Sequence, residues 1–163
     1  MTFRSEVTGV IIQVDTREKA RAIAKILSYF DREGIKHISS KNYVGDYISL
    51  ENPKISVDRK QNLSELCTNV CQDHKRFISE IQRANDVGIK LIFLVEHGGN
   101  IKKLEDVDNW VNPRLKVSPL AVSGQRLFKI LYSIKNKYGV DFVFCDKRNT
   151  GKKIVELLGV NQK

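Results

Sequence analysis

V-G-D-Y-I-S-L-E-N-P-K-I-S-V-D-R-K, residues 44–60, decides how this chain is read. Tyr47 to Leu50 and Ile55 to Arg59 are apolar, β-favouring runs, and Glu51-Asn52-Pro53-Lys54 between them is rich in turn formers. The pattern predicts an antiparallel hairpin. Its second strand ends on Asp58, Arg59 and Lys60, three charges where an apolar run would continue or turn. In a strand, residues 58 and 60 share one face, so a carboxylate and an ammonium emerge together. Pairing Leu50 with Ile55, which the apolar partition favours, sets Asp46 opposite Arg59 and on the side of Ile48. A bulge at Gly45-Asp46, or a register with Asp46 opposite Asp58, would make the two acids converge.

Around the hairpin, strands and helices alternate. Gly9 to Val14 is a β-rich apolar run. Arg17 to Arg32 carries Ala20, Ile23, Ala24, Leu27 and Phe30 at helical spacing. Lys36 to Ser39 is a short strand. One long helix is expected from Leu63 to Asp86, stopped by Gly88. Leu91 to Val95 reads as a strand buried on both faces, Ser123 to Tyr138 as an amphipathic helix ended by Gly139, and Val140 to Cys145 as a second buried strand. Thr150 is placed to cap a last helix, Gly151 to Leu158. The stretch from Gly98 to Pro119 holds two of the three prolines and reads as a long surface excursion. The fold class is α/β: a mixed central sheet with an antiparallel hairpin, covered by helices on both faces.

The length of 163 residues suits one domain, 1–163. A composition 41% hydrophobic and 29% charged is that of a soluble globular protein. No apolar run approaches the roughly 18 residues that cross a bilayer, and the N-terminus lacks a signal-peptide pattern, so an intracellular, cytoplasmic protein without a membrane role is expected. A net charge of +9 favours a polyanionic partner, nucleic acid first. Basic residues concentrate at Lys147-Arg148 and Lys152-Lys153. Three cysteines, Cys67, Cys71 and Cys145, suggest free thiols. Cys67, Cys71 and His74 could share a helical face, but zinc lacks a clear fourth ligand there; core thiols and a surface histidine are expected.

Asp15 after the first strand, Asp46 before the hairpin, and Asp58 and Lys60 within it carry the chemistry. Carboxylates with backbone oxygen and water form a hard oxygen site suited to Mg²⁺ or Mn²⁺. A lysine alongside can stabilise charge on a phosphate or position a water. Phosphodiester hydrolysis needs those parts.

The set V-D-T-R-E (14–18), V-G-D-Y (44–47) and V-D-R-K (57–60) resembles the nuclease domain of the XPF family, within the PD-(D/E)XK superfamily. The resemblance implies a restriction-endonuclease-like fold and a divalent-metal-dependent endonuclease cutting branched DNA. The family's signature is G-D, a spacer, then E-R-K-x-x-x-D. Gly45-Asp46 matches the first part, and Asp58-Arg59-Lys60 the second with Asp for Glu. The final acid falls on Ser64, and the nearest carboxylate is Glu65. Carried over residue by residue, Asp46, Asp58 and Lys60 are catalytic, Asp46 and Asp58 bind metal with Asp15, and Arg17, Glu18, Arg59, Gln61 and Glu65 support them. Lys75, Arg76, Lys147, Arg148, Lys152 and Lys153 are candidate DNA contacts. A looser likeness runs through 74–77, 91–96 and 124–145. Larger members add helix-hairpin-helix modules and often a helicase, so a compact stand-alone form of the bacterial and phage type is expected. A homodimer, through the helix around 124–138, and a helicase partner are implied in the same way. A Holliday-junction-resolvase-like enzyme and a non-catalytic DNA-binding module are the rival readings.

Several residues have plainer readings. Asp15 to Glu18 also fits a capping box. Gly45-Asp46 alone is a turn dipeptide. Arg59 suits an edge residue, a phosphate clamp or a structural pair, and Gln61 could orient water or metal. His74 to Arg76 suits a solvated helix face. His97 suits a loop histidine, and Trp110 an anchor for the long loop rather than a base-stacking platform.

Overall fold

The computed structural model describes residues 10–160; Gly9, the start of the first expected strand, and the N-terminal stretch lie outside them. The strands are β1 (Ile11–Val14), β2 (Lys36–Ser39), β3 (Tyr47–Ser49), β4 (Asn52–Lys60), β5 (Lys90–Glu96) and β6 (Asp141–Cys145). The helices are α1 (Ala24–Arg32), α2 (Leu63–Cys71), α3 (His74–Asp86), α4 (Gly124–Tyr138) and α5 (Thr150–Leu157). The strands form one sheet in the order β2-β1-β3-β4-β5-β6. β3 is antiparallel to both β1 and β4, while β4, β5 and β6 run parallel. This is the expected mixed sheet with an antiparallel pair.

Helices cover both faces. Leu91, Phe93 and Val95 of β5 pack with α2, α3 and α4, and the alternating Ile92 and Leu94 pack with α1 and α5. A strand apolar at every position is what two buried faces require. Phe93 stacks between Phe77 and Phe142, with ring centroids 4.8 and 5.3 Å away.

The hairpin register differs from the one its apolar pattern favours. Tyr47 pairs with Val57 and Ile48 with Ser56, but the next residue, Ser49, pairs with Asn52. Pro53, Lys54 and Ile55 are the excess residues of a bulge, so the turn sits at Leu50-Glu51 and β4 begins at Asn52. A proline there removes a ladder donor where the ladder is already interrupted. The slip of one residue leaves Asp46 one step beyond the Tyr47–Val57 pair, opposite Asp58. Asp46 N–H donates to Val57 O at 2.8 Å. Gly45 has φ +73°, and a Cβ there would stand 2.0 Å from Ser56 Oγ, so only glycine carries the chain past β4.

Three helical expectations are corrected. The first helix starts at Ala24, not Arg17, because residues 15–23 form a looped turn held by side-chain contacts. The long helix expected over 63–86 breaks at Gln72-Asp73, within a run of weak helix formers (Cys71, Asp73, His74). The break lets Leu66 and Val70 of α2 and Phe77 and Ile81 of α3 all join one core. Thr150 does not cap the last helix; its hydroxyl lies 2.6 Å from Glu96 Oε2. Cys67 and Cys145 are buried as expected, whereas Cys71 is exposed. The stretch 98–119 carries short 3-10 turns at Leu104–Asn109 and Pro113–Lys116, and Trp110 is buried against the α4 side of the core as its anchor. Among the described residues, no helix is long and apolar enough to cross a membrane.

Candidate active site

The pleat of β4 sends its terminal charges to opposite sides. Val57 and Arg59 face the α1–α5 side; Asp58 and Lys60 face α2 and α3. At the end of β4 lies a cleft of about 570 Å³ lined by Asp46, Asp58, Lys60, Gln61, Glu65 and Glu80, with Glu18 and Arg59 also at its wall.

Asp58 is 6% exposed. Burial pushes its carboxyl up to about 7, against the pull of Lys60 and with help from the charge and hydrogen bond of Glu80. Asp46 Oδ2 accepts from Arg59 N–H at 2.8 Å. Its carboxyl is also pushed well above the usual range, by burial first and then by the charges of Asp58 and Glu18. Two acids that repel each other's ionisation describe a site short of positive charge. Lys60 Nζ stands 3.3 Å from Asp58 Oδ1, and 5.9 and 5.8 Å from the ring centres of Phe77 and Phe93. Burial acts to discharge it, but the Asp58 and Glu65 charges prevail and its pKa is raised.

Arg59 goes the other way. It makes the structural pair: its guanidinium donates to Glu18 Oε1 at 2.7 Å and Oε2 at 3.0 Å, and to Glu96 Oε1 at 2.7 Å. Tyr47 OH adds a bond to Glu18 at 2.9 Å, and Thr150 satisfies the second oxygen of Glu96. Burial opposes the Arg59 charge, yet the paired carboxylates hold its pKa above the usual value.

Asp15 is not brought to the cleft. Its Oδ2 accepts from Arg17 N–H and Nε at 3.0 and 2.7 Å, and its Oδ1 from Asn42 N–H at 2.8 Å. Burial alone would raise its pKa, but these donors lower it. Asp15 therefore closes a turn, and Glu18 is spent on Arg59 rather than on a capping box. Ser64 offers no acid, and Glu65 accepts from Gln61 N–H at 2.6 Å while Asn62 caps α2. Arg17, Lys19, Arg76 and Arg83 line the cleft, whereas Lys75, Lys147, Arg148, Lys152 and Lys153 do not. Arg148 is held by Asp146 and Lys153 by Glu156. His97 does not line the cleft; it closes β5 through N–H bonds to Val95 and Cys145 carbonyls.

Glu80 of α3 and Asn69 of α2 line the same cleft and carried no signal in the sequence, each being one polar residue on an amphipathic helix. Only the packing of α2 and α3 over β4 places them there. Asn69 Oδ1 is buried with no hydrogen-bond partner, an arrangement costing about 1–3 kcal/mol unless something satisfies it.

Among the described residues, no group of three or more acidic, histidine or cysteine side chains is spaced to enclose a metal ion. The donor chemistry still fits a Mg²⁺-type ion, which takes one or two carboxylates and fills its other positions with water and phosphate. Under-neutralised Asp46 and Asp58, with an orphaned oxygen on the same wall, meet that need.

A model of the ERCC4 domain matches residues 14–158. Among solved structures, XPF from Aeropyrum pernix matches with a TM-score of 0.63 at 21% identity, covering 91% of this chain and 63% of that one. XPF from Aeropyrum pernix in complex with DNA matches with a TM-score of 0.64 at 19% identity, covering 92% of this chain and 64% of that one. At such identity the likeness is one of fold, and this chain spans less than two thirds of those chains. No curated protein matches in sequence.

Proposed function

This chain belongs to the ERCC4-domain family, and from that premise we propose that it is a divalent-metal-dependent, structure-selective endonuclease acting on branched DNA. The observation that carries this reading is the register of β3 on β4, which sets Asp46 opposite Asp58 on the face that also bears Lys60.

Asp46 and Asp58, with the Arg59 carbonyl, would hold Mg²⁺ or Mn²⁺, which when bound supplies a Lewis acid for the phosphate and an acidified water. Lys60, fixed by Asp58 and backed by Phe77 and Phe93, offers its ammonium where phosphate charge develops. Arg59 supports the site from behind: its N–H orients Asp46 while its guanidinium is locked to Glu18 and Glu96. Arg17, Lys19, Arg76 and Arg83 line the cleft with charge for the strand's phosphates. Water oxygen bonds to phosphorus as the bond to the 3′ oxygen breaks, leaving a 5′-phosphate and a free 3′-hydroxyl.

The test is cleavage of flap, fork, four-way-junction and plain duplex DNA in Mg²⁺ and in Mn²⁺. Nicks near the branch with 5′-phosphate ends, lost in Asp58→Ala, are expected. Preference for the four-way junction would instead make the chain resolvase-like. Binding without cleavage in either metal would make it a non-catalytic DNA-binding module.

A further inference from the structure

Tyr43 is 54% exposed, although the chain on either side of it is fixed. Asn42 is buried: its N–H donates to Asp15 Oδ1 at 2.8 Å, and its Oδ1 accepts from Gln13 Nε2 at 2.6 Å. Val44 is buried in the core beneath α2 and α3. The turn that delivers Asp46 therefore holds the Tyr43 ring out in solvent. Arg83 of α3 lies against that ring, with its guanidinium carbon 4.8 Å from the ring centre, and donates an N–H to the Tyr43 carbonyl. Arg83 also lines the cleft. We propose that Tyr43, backed by Arg83, is a stacking platform for an unpaired base of the DNA beside the cut. This rests on the reading of the cleft as the place where DNA is cleaved.

Three observations carry it. The ring is preorganised: a guanidinium is attracted to the face of a tyrosine, and here it props the ring from one side, so little freedom is lost when a base lands on the rest of it. The charge is complementary: Arg17, Lys19 and Arg76 line the same cleft, and Arg76 lies two helical turns before Arg83, about 10 Å along α3. Phosphates drawn to that row would bring the strand to the platform. The position is selective: among the described residues the other exposed aromatic ring is Tyr132, on α4, which contributes nothing to the cleft lining. A base inside a duplex has both faces covered by its neighbours, so only an unpaired base can stack on Tyr43. Every base has such a face, so the contact is indifferent to sequence. Together these give discrimination of structure without discrimination of sequence.

The test is binding of the full chain, in EDTA so that nothing is cut, to a blunt duplex and to the same duplex carrying a single-stranded tail, read by fluorescence anisotropy. Tyr43→Ala should weaken binding of the tailed duplex about fivefold or more, the scale of one lost base stack, and leave the blunt duplex within about twofold of the parent. Tyr43→Phe, which keeps the ring, should bind both like the parent. Melting temperatures of both variants should match the parent, since the side chain is exposed. With 5-iodouracil in the tail next to the duplex, irradiation should give an adduct on Tyr43, located by mass spectrometry. Equal weakening of both duplexes by Tyr43→Ala, or parent-like binding of the tailed duplex, overturns the platform alone. A parent chain that binds neither DNA overturns the reading of the cleft on which the platform rests.

Discussion

Asp58 and Arg59 are neighbours on one strand, and their surroundings are opposites. On the Arg59 side, every carboxylate oxygen of Glu18 and Glu96 has a donor: the guanidinium, Tyr47 OH or the Thr150 hydroxyl. Side-chain exposure is 6% at Arg59, 3% at Glu96 and 10% at Glu18. On the Asp58 side, carboxyls from β4, α3 and the turn before β3 gather with a single close ammonium, and the cleft is open to solvent. The first arrangement is complete by itself. The second leaves Asp46 and Asp58 with carboxyls pushed above their ordinary range. One strand thus separates a closed ion network from an under-neutralised acid pair by alternating its pleat.

Substituting the two sides should break that contrast most visibly. Asp58→Asn is expected to abolish cleavage while raising the melting temperature of the metal-free protein, because it removes a buried charge short of partners. Arg59→Ala is expected to lower stability by about 3–5 kcal/mol, the scale of stranding one side of a buried ion pair, measured by urea unfolding. If Arg59→Ala left stability unchanged and Asp58→Asn lowered it, the assignment of the two faces would be reversed.

Lys60→Ala comes next. It should reduce cleavage on the order of 10²–10³-fold, with Mn²⁺ affinity and melting temperature retained. A parallel loss of metal binding would make Lys60 an organiser of Asp58 rather than a partner of the phosphate.

The acid pair also sets a pH dependence of known sign. Asp58 titrates near 7 in the folded chain and near 3.8 when unfolded, so between those values the folded state holds the extra proton. Its contribution is fully present below the unfolded value and is lost as pH rises through 7. Asp46, raised for the same reasons, acts in the same direction. Asp15, whose pKa is lowered, contributes above its ordinary value and loses that contribution only as pH falls further into acid. Metal-free melting temperature should therefore decline from pH 5 to 8, and Asp58→Asn should flatten the decline. Stabilisation by Mn²⁺ should grow over the same range, since the ion competes with the proton.

The smallest effect is expected at the cleft wall. Arg76→Ala should weaken DNA binding severalfold, without regard to sequence, and reduce the salt slope by about 1. Lys147→Ala, outside the cleft, should change binding less.

Much of the fold was legible because burial writes itself as period. Leu91 to Val95 could be read as a two-sided strand, and Ser123 to Tyr138 as an amphipathic helix with a glycine stop at Gly139. What failed was boundary and register. The helix expected from Arg17 starts at Ala24 because Asp15 closes a turn on Arg17 and Glu18 is claimed by Arg59, forty-one positions away. Helical period alone does not register a claim of that kind. The break at Gln72-Asp73 is set by the need to lay two short helices on one core.

The sequence by itself determined that an acid-and-amine strand end follows an apolar hairpin, and that Gly45-Asp46 precedes it. Local chemistry suffices there, since period 2 puts Asp58 with Lys60 in any sheet. Only the tertiary structure decided that Asp46 faces Asp58, that Arg59 turns inward, and that Glu80 and Asn69 join the cleft. A single residue of register reverses a side chain's face, and helix packing brings together positions that the chain keeps far apart, so neither follows from local pattern.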